Sequence, residues 1–191
     1  MPDLHIPPRP FDSARVERTL ETLAERGFVP GAEARELLDG VFGNSAFLSR
    51  LAVRDPAILK QIVLAGPVSA LDAAIARAGA VALLEDEALA MTELRGAKRA
   101  AALTIALADI GGLWPLEEVT GALTRFADVC VRSALRFLLR RAATLHNMAE
   151  QDGAVLEATT GLTVLAMGKY GAHELNYSSD IDLVVFYEAE R

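Results

Sequence analysis

The sequence contains a single cysteine, Cys130. No internal disulfide can form, and a cysteine-rich zinc site is excluded. Val129 and Val131 flank that cysteine inside a helical repeat, so it reads as a core residue and not as a reactive thiol. Positive charge is scarce as well: 19 Lys and Arg stand against 26 Asp and Glu, a net charge of -7. Binding to duplex nucleic acid depends on clustered Lys and Arg. The acidic balance therefore argues against a nucleic-acid partner and for a protein substrate or a nucleotide held through metal ions. Long apolar runs are missing too. The most notable, Ala100 to Ala108, is bounded by Arg99 and Asp109 and is far below the ~20 residues of a membrane span. Met1 to Pro10 holds four prolines and no apolar run, unlike a signal peptide. A cytoplasmic protein without a membrane segment is the expectation. Glycine (14) and proline (8) are modest and hydrophobic residues reach 52%, which marks a folding chain and not a disordered one.

What is present is mostly helix. Asp12 and Ser13 are N-cap candidates for a helix carrying Val16, Leu20 and Leu23 on one face, with Gly27 placed to end it. Pro30 can open a second helix bearing Leu37, Leu38 and Val41, stopped near Gly43. Asn44 and Ser45 precede a third, and Asp55-Pro56 pairs a cap with proline at the first helical position. Gly66-Pro67 breaks that fourth helix, after which an Ala-rich register runs from Ser69 to about Leu84. Glu85, Asp86 and Glu87 suit the acidic first turn of a helix ending at Ile110 before Gly111-Gly112. Gly96 inside it invites a kink or a close approach. A last long helix starts near Pro115, with Leu116, Val119, Leu123, Phe126, Cys130, Ala134, Phe137 and Arg141 forming a stripe expected to be buried. Residues 1–150 are thus expected to form a helical bundle or array.

The pattern changes after Asp152-Gly153. Leu162 to Met167 and Asp182 to Tyr187 are short apolar runs with β-branched members, expected to be buried strands. The fold class is therefore mainly α, a helical bundle (1–150) followed by the first strands of an α/β domain (151–191). Asp180 and Asp182 flank Ile181 at the start of the second strand, where side chains at i and i+2 share a face. Two carboxylates side by side repel unless a cation lies between them, the arrangement that holds Mg²⁺ or Mn²⁺ together with phosphate oxygens and water. Gly168 lets the backbone approach a phosphate, Lys169 adds positive charge, and Ser178 and Ser179 add hydroxyls beside the metal. These parts suit in-line transfer at phosphorus. A strand, Gly-Lys and then Asp-x-Asp entering a second strand matches the general nucleotidyltransferase pattern.

The stretch LAMGKYGAHELNYSSDIDLVVFY (from Leu165) resembles the signature of the bifunctional glutamine synthetase adenylyltransferase/adenylyl-removing enzymes. Its Asn176-Tyr177-Ser178-Ser179-Asp180-Ile181-Asp182 wording is similar to the N-terminal, adenylyl-removing domain of that family. GNSAFLSRLAVRDPAIL (Gly43 to Leu59) and the run from Glu93 to Cys130 resemble the helical segment before that domain. The resemblance implies phosphorolytic removal of AMP from an adenylylated tyrosine of glutamine synthetase, with ADP as product. It further implies a parent enzyme that also adenylylates from ATP, Mg²⁺ or Mn²⁺ at Asp180 and Asp182, and control by PII-type signal proteins. In that family a third carboxylate on a later strand, a helical region and a second catalytic domain are expected to follow. The chain is accordingly expected to be a truncated N-terminal part, inactive alone and left with an unpaired sheet edge. The alternative is a non-catalytic nucleotide-binding or protein-interaction module with a degenerate nucleotidyltransferase remnant.

The remaining polar residues suggest less. His173 reads as a surface helical histidine, and His5 and His146 lack partners at ligand spacing. Arg95, Lys98 and Arg99, like Arg132, Arg136, Arg140 and Arg141, read as helix faces solvated or paired with carboxylates. Trp114 is expected to pack at the turn between the two long helices.

Overall fold

A computed structural model describes residues 7–188. The helices are α1 (Ser13–Glu25), α2 (Ala32–Asn44), α3 (Ala46–Arg54), α4 (Pro56–Ala80), α5 (Glu87–Ile110), α6 (Leu116–Leu145), α7 (Gly153–Thr159) and α8 (Gly168–Gly171). The strands are β1 (Leu162–Met167) and β2 (Asp182–Tyr187). The mainly α architecture is as expected. The chain falls into two compact units, one comprising the residues up to Ala73 with Arg99–Val119, the other Ala74–Lys98 with the residues from Thr120 onward.

In the first unit, side-chain caps set the helix starts. Asp12 accepts from Arg15 N and Ser45 from Leu48 N, each satisfying an amide that has no partner within its helix. Gly27 ends α1 with a left-handed φ of 80°, a conformation that costs glycine little. Val16, Leu20 and Leu23 of α1 meet Leu38, Val41 and Phe42 of α2, Leu48 and Leu51 of α3, and Leu103 and Leu107 of α5 in one core. Gly40 and Gly43 lie within α2, which ends one residue after Gly43, as expected. A Cβ at Gly40 would fall 2.1 Å from the Pro8 carbonyl, and one at Gly43 would fall 2.3 Å from Pro10 Cβ. Asn44 Nδ2 and Asp12 N complete that seam by donating to Arg9 O and Gly43 O.

Gly66 breaks α4 internally, with φ 83°, and Pro67 restarts it at a position where a missing N–H costs nothing. Pro56–Leu83 is long and apolar enough to cross a membrane by length and composition, at mean hydropathy 1.5. That segment is longer than the Ala100–Ala108 run.

In the second unit, α4 ends at Ala80 and a 3₁₀ turn, Val81–Leu83, follows. Helix α5 opens at Glu87, and Asp86 lies ahead of it, accepting from Leu89 N at 2.6 Å. Gly96 is a point of close approach: a Cβ there would lie 2.5 Å from the Arg77 guanidinium, which pairs with Glu93 at 2.6 Å. That pairing holds the Glu93 carboxyl below its usual range, through the Arg77 hydrogen bond first. The α6 stripe is only partly buried. Val119, Phe126 and Phe137 are in the interior, Cys130 and Ala134 are half-buried, and Leu116 is 70% exposed. Leu116 opens the helix, where one flank of a first turn faces solvent. The half-buried Cys130 thiol is pushed up to about 11, chiefly by desolvation, which keeps it protonated and poorly nucleophilic.

The arginines of α6 are engaged inside this unit. Arg132 and Arg136 pair with Glu157 at 3.4 and 2.6 Å, Arg140 donates to Ala82 O at 2.8 Å, and Arg141 pairs with Glu87. Glu157 belongs to α7, a short helix not expected from the sequence. Asp152 caps α7 by accepting from Val155 and Ala154 N–H, and these bonds lower its pKa.

The strands pair antiparallel in register from Leu162↔Tyr187 to Met167↔Asp182. They are not buried as expected. Strand β1 alternates half-buried and exposed residues, and β2 is exposed throughout. Helices α7 and α8 lie against β1, while β2 residues on both faces, Leu183 and Val185 as well as Val184 and Phe186, remain more than a third exposed.

Phe42 is fully buried at the centre of the first core. Phe42→Ala is expected to lower stability by about 3–5 kcal/mol, the range for deleting a buried aromatic ring, as measured by urea denaturation.

Candidate active site

Directly opposed residues of an antiparallel pair share a sheet face. Leu162, Val164, Ala166 and Leu183 line a cavity of about 180 Å³ beside α6, together with Tyr170 and Asp128. Met167 and Asp182 are opposed to each other one position along, so the Asp182 carboxylate projects from the other face. The cavity and the carboxylate are therefore on opposite sides of the sheet.

At the end of β1 the chain turns at Gly168, whose φ is +55°. A Cβ there would lie 3.5 Å from Asp182 Oδ2, so the carboxylate stands directly over the glycine. Gly171, three residues on, is required for a different reason. A Cβ at that position would lie 2.4 Å from the Ala166 carbonyl oxygen, a clash with backbone that no side-chain adjustment relieves. The single turn α8 thus tucks against β1 only with glycine at 171. Between the two glycines, Lys169 is exposed while Tyr170 is only 4% exposed. The Tyr170 hydroxyl donates to Asp128 Oδ1 of α6 at 2.7 Å. Burial first, then this bond and the nearby carboxylate, raise the tyrosine pKa well above its ordinary value.

The loop to β2 is held by Leu175, 4% exposed, and by Asn176. Asn176 Oδ1 accepts from Ser178 N at 3.1 Å and from Ser179 Oγ at 2.9 Å, while its own amide N donates to Ser179 Oγ at 3.3 Å. The Ser179 hydroxyl proton is committed to Asn176, and Ser178 contributes its backbone to the same turn. Asp180 and Ile181 follow in extended connection, both exposed, and the strand begins only at Asp182. The i, i+2 argument for a shared face therefore has one of its two carboxylates on the strand and the other just before it. His173 follows α8, exposed and left-handed at φ 60°, not within a helix as expected. His146 is exposed beyond the end of α6, and His5 lies outside the described residues.

Among the described residues no three His, Cys, Asp or Glu side chains converge as a metal cluster. The Asp182 carboxylate beside the Gly168 turn still fits a divalent cation that keeps water and takes phosphate oxygens as remaining ligands. Asp128, Tyr170, Gly171 and Asn176 are the residues that build this geometry and were not singled out from sequence. The signals for them were a second glycine closing Gly168-Lys169-Tyr170-Gly171 and an asparagine three residues before Ser179.

The tyrosine contact has a pH signature. A folded-state pKa above the unfolded one gives stability that is complete below the unfolded value and lost as pH rises through the folded one. Stability should therefore fall above about pH 10, and Tyr170→Phe should flatten that decline while costing about 1–2 kcal/mol at neutral pH. Urea denaturation across that range measures both.

A family model described as glutamate-ammonia ligase adenylyltransferase matches residues 35–191. Curated proteins named bifunctional glutamine synthetase adenylyltransferase/adenylyl-removing enzyme are similar along most of the chain. That of Rhodopseudomonas palustris (strain HaA2) is 48% identical over 157 residues, which cover 82% of this chain and 16% of the relative. That of Bradyrhizobium sp. (strain ORS 278) is 44% identical over 178 residues, 93% of this chain and 18% of the relative. In Caulobacter vibrioides the identity is 38% over 188 residues, covering 95% of this chain and 19% of the relative. The chain therefore spans less than a fifth of the length of these curated relatives. No solved structure matches it. With a family match over residues 35–191, on the segment that carries the Gly168 turn and Asp182, the chain belongs to the glutamate-ammonia ligase adenylyltransferase family.

Proposed function

We propose that this chain is part of a cytoplasmic enzyme that removes AMP from an adenylylated tyrosine of glutamine synthetase by phosphorolysis. In this reading residues 151–191 begin the adenylyl-removing unit and residues 1–150 are its helical support. The parent protein would also adenylylate glutamine synthetase from ATP and answer to PII-type nitrogen signals. The observation that carries the reading is the Asp182 carboxylate standing over the left-handed Gly168. That placement is what a metal–phosphate site on a strand end requires. The named activity of the curated relatives supports the choice of glutamine synthetase as substrate.

Asp180 and Asp182 would hold Mg²⁺ or Mn²⁺, which when bound neutralises phosphate charge as a Lewis acid. The Gly168 backbone would admit a phosphate oxygen close to the turn, and Lys169, exposed on α8, would add positive charge near it. The Asn176-braced turn would hold Ser178 and Ser179 beside the carboxylates. Orthophosphate attacks the AMP phosphorus, the bond from phosphorus to the tyrosine oxygen breaks, the phenol regains a proton, and ADP leaves. The exposed outer face of the sheet, with Leu165, Met167, Val184 and Phe186 each more than a third exposed, suits cover by further layers of a longer protein.

A second reading is a nucleotide-binding module without turnover. It is favoured by the lack of a third converging carboxylate among the described residues.

Two measurements test these readings. Calorimetric titration of this chain with Mn²⁺ and ADP should show binding that Asp182→Asn weakens at least about tenfold, as expected for losing a carboxylate ligand. In a protein carrying this chain over the full length of its relatives, Asp180→Ala with Asp182→Ala should abolish ADP release from adenylylated glutamine synthetase. Undiminished release would sink the enzymatic assignment, and nucleotide binding without any release would favour the second reading.

A further inference from the structure

A groove of about 510 Å³ in the first unit, between α1 and α3, has a composition at odds with the rest of this acidic chain. Its walls carry Arg15 and Arg18 from α1 and Arg50 and Arg54 from α3, over a floor that includes Val53 and Thr22. No carboxylate lines it. Arg15 is consumed by the fold: its Nε and Nη2 donate to Phe42 O and Gly43 O, and Asp12 reaches it at 3.5 Å. Arg26, just past α1, donates to Val53 O at 3.0 Å. Arg18, Arg50 and Arg54 are all exposed and meet no acceptor among the described residues.

These three differ from five arginines of the second unit. Arg77, Arg132, Arg136 and Arg141 each face a glutamate, and Arg140 faces a carbonyl. Arg50 and Arg54, by contrast, are like charges at i, i+4 on one helix, an arrangement that is itself mildly destabilising. Arg54 in the last turn of α3 is favoured there by the helix dipole, but Arg18 and Arg50 have no such compensation. The hydroxyls that line the groove are already spent, Thr19 and Thr22 on Arg15 O and Arg18 O, and Ser49 on Phe42 O and Ser45 O. The free recognition elements are therefore guanidiniums, whose planar forks match carboxylates in pairs. No aromatic side chain lines the groove, so nothing offers a base a stacking platform. From Arg15 to Arg26 along α1 is about 16 Å at the helical rise, long enough for several residues of a bound chain.

We propose that the α1–α3 groove is a docking surface for an acidic segment of a partner protein, its carboxylates paired with Arg18, Arg50 and Arg54 and its apolar side chains resting on Val53. This surface is independent of the Gly168–Asp182 site.

Fluorescence anisotropy of the whole chain with a labelled Glu/Leu peptide, against its Gln/Leu counterpart, tests the proposal. The acidic peptide should bind more tightly, and its affinity should fall as salt is raised. The variant Arg18→Gln/Arg50→Gln/Arg54→Gln should keep the wild-type circular dichroism melt and lose affinity on the order of tenfold, the combined worth of three exposed ion pairs. The charge-matched control Lys60→Gln/Arg95→Gln/Lys98→Gln should bind as wild type does. Equal loss in both variants, or no preference for the acidic peptide, would overturn the proposal. So would displacement of the peptide by inorganic phosphate at equal concentration, which would make the groove a small-anion site. Self-association by sedimentation that the groove variant abolishes would instead assign the surface to a second copy of this chain.

Discussion

No side chain fits at position 171. The Ala166 carbonyl occupies the space where a Cβ would be, at 2.4 Å, and most of the candidate site follows from that contact. Because α8 can press against β1, Tyr170 is carried inward to donate to Asp128 on α6. Because α8 is a single turn, the chain regains the sheet within a short loop, and Asp182 pairs opposite Met167. That register puts the carboxylate over Gly168. A side chain at 171 would push the turn off the strand, pull the tyrosine from its partner and shift the carboxylate from the glycine, three effects of one steric constraint.

Charge is used in two ways. In the second unit, arginines on α4 and α6 reach acidic side chains on α5 and α7 and a carbonyl of the 3₁₀ turn. These pairs are partly exposed, so each contributes at most about 1 kcal/mol. Their value is in orienting elements such as α7, whose short length leaves little apolar area to bury. In the first unit the core around Leu23, Phe42 and Leu103 supplies the stability. There Arg15 and Arg26 tie elements together and Arg35 pairs with Asp39 within α2. That is why unpaired guanidiniums between α1 and α3 stand out as a surface for something else.

Much of the helical order was legible in local chemistry. Caps at Asp12 and Ser45, the Asp55-Pro56 start and the Gly66-Pro67 break all act within one turn of chain. Helix α7 was missed because seven residues hold too few apolar positions for a period to show. The strands were found, but their burial was not, since an apolar run carries no record of how many faces are covered. The α6 stripe failed at Leu116 for a related reason: periodicity gives a face and not the extent of what packs on it.

At the site, local chemistry alone made the parts readable: a glycine able to take positive φ, a following lysine, two carboxylates spaced i, i+2, and an apolar strand on each side. These follow from residue type and short spacing, and the family signature was readable from the same residues. Tertiary structure alone decided that Asp182 stands over Gly168 while Asp180 precedes the strand. It also decided that Asn176 and not the serines organises the loop, and that Asp128, forty-two positions before Tyr170, anchors the turn. Those outcomes depend on strand register and on the packing of α8 between β1 and α6. Contacts over such separations are set by the shape of the packed elements, which no local spacing encodes.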